Sequence, residues 1–231
     1  MFKIALSAGH GKNTPGKRCL KKIDKKETRE WVLNSRICEL VEKNLSNYEN
    51  CSVIRLDDKT GKKDISITNR TSTANKENAD IYVSVHHNAG IKGGSGGGIM
   101  AFTYLKVGEK TEKLQELLYK KLIDKTGLKG NRSTPLSKAN LGELRQSKMP
   151  AVLLECGFMD STTDTPIILT KEFAEKCALA ISEAIVETGK LKQKQSAKKL
   201  YIVQAGAFSS KENAEELIKK LKKAGFDAII K

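Results

Sequence analysis

The chain contains three histidines, and each stands at the end of a short apolar run. His86 and His87 follow Ile81-Tyr82-Val83-Ser84-Val85, a β-branched stretch that reads as a buried strand. Asn88 and Gly90 then supply turn chemistry. His10 follows a strand expected over Lys3–Leu6, in Ser7-Ala8-Gly9-His10-Gly11, where glycine on both sides permits close backbone approach. Open α/β sheets collect their ligands outside the carboxyl ends of their strands. Imidazoles from two strand ends therefore point to one metal. A zinc hydrolase centre takes three protein ligands from His and Asp/Glu and leaves a fourth position for water. The competing expectation is histidines that cap strands and bond to backbone. The Gly/Asn turns and the nearby carboxylates weigh against it. Glu155 ends the most apolar run, Pro150–Phe158, where a carboxylate is costly unless paired, metal-bound or catalytic. It suits a general acid–base beside activated water. Glu30, in the first turn of a helix expected over Arg29–Leu45, is the candidate third ligand; its other reading is an acid that favours the helix macrodipole. Strand geometry alone leaves open which of His86 and His87 is the ligand.

The elements that must position these groups alternate. Strands are expected at Lys3–Leu6, Cys51–Leu56, Ile81–Val85, Ile99–Tyr104 and Pro150–Phe158. Helices are expected at Arg29–Leu45, Asp64–Glu77 with Asp64 as N-cap, Glu109–Lys125 and Lys171–Thr188. Gly127–Met149 reads mostly as loop, and Gly93–Gly98 as a flexible rim of a cleft, since it lacks the Gly-Lys-Ser/Thr ending of a phosphate cradle. This order predicts an α/β domain, three-layer αβα with a mainly parallel central sheet, over residues 1–189. A polar linker is expected over 190–199. A small βαβ domain is expected over 200–231: strand Leu200–Ala205, a helix from the capping box at Ser209-Ser210-Lys211-Glu212 to Ala224, and strand Ala228–Ile230.

At 231 residues the chain can bury a full core, and it has no apolar run near the ~20 residues of a membrane span. The N-terminus lacks the h-region of a signal peptide, so synthesis in the cytoplasm without one is expected. The five cysteines are odd in number, widely spaced and without Cys-x-x-Cys, and read as free thiols. The net charge of +15 suits a polyanionic partner. Sparse aromatics and the lack of a zinc finger or recognition helix argue against a specific nucleic acid, whereas an anionic wall polymer fits. A solvated lysine-rich surface is the plain alternative.

Ala8-Gly9-His10-Gly11 with Pro15-Gly16, Glu30-Trp31-Val32-Leu33-Asn34, Arg70 with Ala74-Asn75, Ser84-Val85-His86-His87-Asn88-Ala89, and Pro150-Ala151-Val152-Leu153-Leu154-Glu155-Cys156-Gly157-Phe158 occur in that order. The set resembles the zinc-dependent N-acetylmuramoyl-L-alanine amidases of the Amidase_3 type. The resemblance implies Zn²⁺ held by His10, Glu30 and His86, and Glu155 as catalytic acid–base. It makes the first histidine of the pair the ligand and leaves His87, with Asn88 and Arg70, as candidates for the substrate cleft. It implies hydrolysis of the muramoyl–L-alanine amide of peptidoglycan and lysis of bacterial walls. The settings expected are a phage endolysin or, second, a mother-cell enzyme of sporulation, acting after release. A non-catalytic wall-binding or nucleic-acid-binding protein is the competing expectation. The chain departs from the family where Ser7 replaces a frequent Asp, a residue able to orient the His10 ring, and where Lys12 and Ser133 replace frequent glycines.

Tyr201-Ile202-Val203-Gln204-Ala205-Gly206-Ala207-Phe208, Asn213-Ala214 and Leu221-Lys222-Lys223-Ala224-Gly225-Phe226 resemble the first half of a SPOR domain, a peptidoglycan-binding repeat. Strand, helix and strand alone make a marginal sheet, with Val203, Phe208, Leu217, Ile218, Leu221, Phe226 and Ile229 needing a second layer. The tail of another copy can supply it, so a homodimer through the tail is expected.

Overall fold

The structure is a computed structural model that describes residues 1–195 and 203–230. Two compact units divide the chain, Met1–Lys194 and Gln195–Lys231. The first holds a six-stranded sheet: β1 (Phe2–Ala8), β2 (Cys51–Arg55), β3 (Ile81–Asn88), β4 (Ile99–Thr103), β5 (Leu136–Lys138) and β6 (Ala151–Phe158), in the order β2-β1-β3-β6-β4-β5. β2, β1, β3 and β6 run parallel; β4 is antiparallel to β6, and β5 is parallel to β4.

Side-chain alternation sorts the sheet's two faces. Ile4, Leu6 and Ala8 of β1, Ile81, Val83 and Val85 of β3, and Val152, Leu154 and Cys156 of β6 enter the larger core. That core is closed by α1 (Glu30–Leu45), α3 (Glu109–Thr126) and α6 (Lys171–Gly189), with the short α5 (Thr165–Ile168) beside β6. The intervening residues Ala5, Tyr82, Ala151 and Leu153 meet the smaller core under α2 (Ile67–Lys76) and α4 (Gly142–Gln146). Packing rather than capping places α1. Arg29 at its start gives no side-chain cap, whereas Leu33, Ile37, Val41 and Leu45 are buried. Each buried aliphatic is worth about 1.5–3 kcal/mol, against about 1 kcal/mol for a cap.

Several local expectations are corrected. α2 starts at Ile67 because Ser66, not Asp64, caps it, its Oγ accepting from Asn69 N at 3.2 Å. Asp64 instead accepts from the Thr14 hydroxyl at 2.6 Å and ties down the loop after His10. The stretch 127–149 is not mostly loop, since it holds β5 and α4. The glycine rim is pinned rather than flexible: Gly93 N donates to Asp160 O (2.8 Å), Gly97 N to Asn131 Oδ1 (2.9 Å) and Gly98 N to Asp164 Oδ2 (2.7 Å). A Cβ on Gly98 would stand 2.4 Å from Lys129 O, so glycine serves close backbone approach there. Leu191–Lys194, expected in the linker, are held to the first unit by Leu191 N→Val186 O (3.0 Å) and Lys194 N→Asn47 O (2.8 Å).

In the second unit the described residues form one helix, α7 (Lys211–Lys223), capped by Ser210. No strand is formed at Val203–Ala205 or at Ala228–Ile230, where neither segment has a ladder partner. The start of the first expected strand, residues 200–202, and the linker residues 196–199 lie outside the described residues. All five cysteines are free. Among the described residues no helix is long and apolar enough to cross a membrane.

Candidate active site

β1 and β3 lie side by side in parallel register, Ala8 beside Val85, so both chains leave the sheet at the same edge. Gly9 follows β1, its N–H donating to Val85 O at 2.9 Å. A Cβ on Gly9 would stand 2.1 Å from the His86 ring, so glycine is what lets the two turns close together. His10 then takes φ +65°, a left-handed conformation costly for a non-glycine residue. Arg70, on α2, holds this turn: its guanidinium donates to Ala8 O (2.6 Å), His10 O (3.0 Å) and Ile65 O (2.8 Å). Glu30 reaches the same edge from the start of α1, where its N–H donates to Lys17 O at 3.0 Å.

The structure brings His10, Glu30 and His86 together, with one potential ligand atom from each within 4.8 Å of the others. His10 Nε2 lies 3.4 Å from Glu30 Oε2, and His86 Nδ1 lies 3.1 Å from Glu30 Oε1. Glu30 Oε2 is buried and has no hydrogen-bond partner. Burial pushes the His10 imidazole down to about 4, leaving a neutral ring with a free lone pair. Burial also opposes charge on His86, yet the carboxylates of Glu143 and Glu30 push it up to about 10. Burial works against ionisation of Glu30, and the His86 bond and charge overcome it, holding the carboxyl down to about 2. Two imidazoles, one open carboxylate oxygen and a demand for positive charge fit a divalent cation with nitrogen and oxygen ligands.

Glu143, on α4, was not legible from motifs. It accepts from Ser84 Oγ (2.7 Å), Tyr82 Oη (3.0 Å) and Ser7 Oγ (3.1 Å), and its Oε2 lies 3.4 Å from His86 Nε2. His86 is thereby held from behind while its Nδ1 faces Glu30. The available signal was polar Tyr82 and Ser84 two residues apart on one otherwise apolar strand, and Ser7 ending another, which require a buried partner. Ser7 points to this network, and it also accepts from Arg70 (2.7 Å). It does not orient the His10 ring, the task an aspartate there was expected to perform.

The other candidates fall differently. His87 is 2% exposed, on the α1 side of the sheet, because strand alternation turns it with Val83 and Val85. Its Nδ1 lies 2.8 Å from Asn34 Oδ1. Asn34 Nδ2 donates to Gly9 O (3.2 Å) and Glu30 Oε1 (3.4 Å), which fixes the amide and assigns the His87 proton to Nδ1. His87 N also donates to Glu30 Oε1 at 3.3 Å. Arg70 is 2% exposed and spent on the turn, so neither His87 nor Arg70 lines an open surface. Asn88 is half-buried at the end of β3 and accepts from Ala89 N at 2.8 Å. Glu155 pairs in register with His86 across β3 and β6. Its Oε2 is buried without a partner. Burial pushes its carboxyl up to about 8 against the pull of His86.

Asn34→Leu removes both amide donors and orphans His87 Nδ1. A loss of about 1–3 kcal/mol in unfolding free energy is expected, the cost of stranding buried polar groups. Urea melts of the variant against the wild type check it; an unchanged midpoint would show the network to be dispensable.

The profile of the Amidase_3 family, N-acetylmuramoyl-L-alanine amidase, matches residues 4–187, and that of the SPOR domain matches residues 186–231. A sporulation-specific N-acetylmuramoyl-L-alanine amidase of Bacillus subtilis is 31% identical over 100% of this chain and 84% of its own length. An endolysin of Bacillus phage SPP1 is 33% identical over 55% of this chain and 47% of its own. A crystal structure of an N-acetylmuramoyl-L-alanine amidase from Clostridium difficile superposes with a TM-score of 0.73 at 24% identity, over 82% of this chain and 97% of that one. With the motifs, the αβα fold and these matches in agreement, the chain belongs to the Amidase_3 family of N-acetylmuramoyl-L-alanine amidases and carries a C-terminal SPOR domain.

Proposed function

We propose that the muramoyl–L-alanine amide of peptidoglycan is cleaved here with a zinc ion held by His10, Glu30 and His86 and with Glu155 as the proton carrier. The observation that carries this is the convergence of those three side chains around a buried carboxylate oxygen that no donor satisfies. Zinc, when bound, supplies a Lewis acid for the amide carbonyl and lowers the pKa of water. Glu155 takes a proton from the attacking water and returns it to the nitrogen of the leaving amine. Burial pushes the Glu155 carboxyl up from its ordinary value, toward the range in which a carboxyl can both take and return a proton. Glu143 keeps His86 in one orientation, and the Arg70 clamp keeps His10 in its left-handed turn. A non-catalytic wall-binding or nucleic-acid-binding protein is set aside by membership of an amidase family.

His10→Ala, Glu30→Ala and His86→Ala are expected to lose bound zinc by elemental analysis, while His87→Ala keeps it. Glu155→Gln is expected to keep zinc and fold and to lose ~10²–10⁴-fold in dye release from purified walls. Zinc retained without His86, or near-normal rates in Glu155→Gln, would sink these assignments.

The tail is proposed to bind peptidoglycan and to pair with the tail of a second copy. α7 has no buried residue, and Val203, Phe208, Phe226 and Ile229 are 87%, 47%, 65% and 75% exposed. A second tail would cover them and pair the segments that lack ladder partners. Light scattering should give a dimer for the full chain and a monomer for a chain ending at Lys194, the end of the first unit. A full chain that runs as a monomer would refute the pairing.

The match along the whole chain to the sporulation-specific relative, against about half for the endolysin, favours wall turnover in a sporulating cell over phage release. Deletion of the gene in its host is expected to delay release of spores from mother cells; normal release with impaired phage lysis would reverse the preference.

A further inference from the structure

The segment between β1 and α1 holds six lysines and one arginine over residues 12–26 against one acid, Asp24. Asp24 is buried, and its oxygens accept from Lys26 N (3.1 Å) and Thr28 N (2.7 Å), so its charge is turned inward. Arg18 pairs with Glu27 at 3.2 Å. Lys21, Lys22, Lys25 and Lys26 are exposed, and none forms an ion pair among the described residues.

These ammoniums hang from a fixed backbone. Cys19 is buried, and its N–H donates to Thr28 O at 2.8 Å; Leu20 N donates to Met159 O at 3.1 Å, just past β6. Lys17, half exposed, accepts through its carbonyl from Glu30 N and sets its Nζ 4.0 Å from Glu30 Oε2. Lys22 sets its Nζ 3.6 Å from where a Cβ would stand on Gly93. The lysines thus form a band that begins at the His10–Glu30–His86 cluster and ends at the pinned glycine rim.

The substrate carries its charge on one side only. The lactyl carboxyl of N-acetylmuramic acid is consumed in the scissile amide, so the glycan beside the bond is neutral. The stem peptide carries carboxylates beyond L-alanine. A peptide spans at most ~3.3–3.6 Å per residue, so with the amide at the cluster and Lys17 Nζ 4.0 Å from Glu30 Oε2, the second residue's carboxylate comes within reach of Lys17. We propose that the Lys17–Lys26 segment is the peptide-side wall of the cleft, and that it selects stem peptides whose second residue keeps a free α-carboxylate over those in which it is amidated. This rests on the amidase reading above. A carboxamide cannot form the charge-assisted bond and leaves the ammonium without its partner.

The test uses the full-chain protein and two matched disaccharide peptides that differ only in carboxylate or carboxamide at the second residue. Both kcat/KM and binding by calorimetry are measured. The carboxylate peptide is expected to lead by about tenfold in each, the worth of one charge-assisted bond. Lys17→Met is expected to bring that ratio toward one, as is raising the ionic strength, whereas Lys22→Met leaves it in place. Equal treatment of the two peptides by the wild type, or a ratio unchanged in Lys17→Met, overturns the proposal. So does a soluble glycerol-phosphate polymer that displaces the carboxylate peptide, since the band would then read phosphodiesters. A binding ratio that persists while neither peptide is cut counts against the amidase reading and leaves this one standing.

Discussion

Buried negative charge at the carboxyl edge of the sheet is the constraint on which the rest of the structure depends. Glu30 and Glu143 close on the two nitrogens of His86, each from a helix on a different side of the sheet. Carboxylates so placed are expensive without compensating positive charge. In the protein alone that charge is an imidazolium; a cation in the same space performs the same service. Neighbouring residues follow from this need. Ser84, Tyr82 and Ser7 satisfy Glu143, Asn34 and the His87 backbone satisfy one oxygen of Glu30, and the other oxygen is left open. The strain of His10 at φ +65° is carried by Arg70, whose fork bonds backbone carbonyls and Ser7 and also faces Asp64 Oδ1 at 3.5 Å.

Much of this was legible from residue types. Apolar β-branched runs ending in Gly-His or His-His located the strands and the edge at which they end, and Glu155 stood out as a carboxylate closing the most apolar of them. The period-two rule explains both a success and a failure. It places His86 with Tyr82 and Ser84, on the face that meets Glu143, and His87 with Val83 and Val85 under α1. Applied to the pair at the outset, it puts them on opposite faces but does not say which of them is the ligand. Glu143 escaped notice because α4 is only five residues long and lies within a polar stretch with no helical stripe. Its partners are distant in sequence, and only the register of β1 with β3 aligns them. The glycine rim was misjudged for a related reason. Composition suggests freedom, but Asp160, Asp164 and Asn131, far along the chain, remove it.

The tail shows the opposite limit. Its helix was plain from a capping box and a glycine stop, and α7 forms where they point. Strands are another matter, because extended segments gain their hydrogen bonds only from a neighbour. Sequence can mark a segment as suited to a ladder without supplying the second rail.

The strand order carries a consequence of its own. β6 is the last of the sheet's six strands to be synthesised, yet it lies between β3 and β4, in the interior of the sheet. A nascent chain that stops short of residue 151 therefore has two raw edges, on β3 and on β4, and no Glu155. His10, Glu30 and His86 are made early, and Glu155 arrives with the strand that seals the gap. Assembly of the sheet and completion of its carboxyl edge are thus one event: the insertion that removes the aggregation-prone edges also brings Glu155 beside His86. The topology thus defers completion of the carboxyl edge of the sheet until nearly the whole first unit has been made.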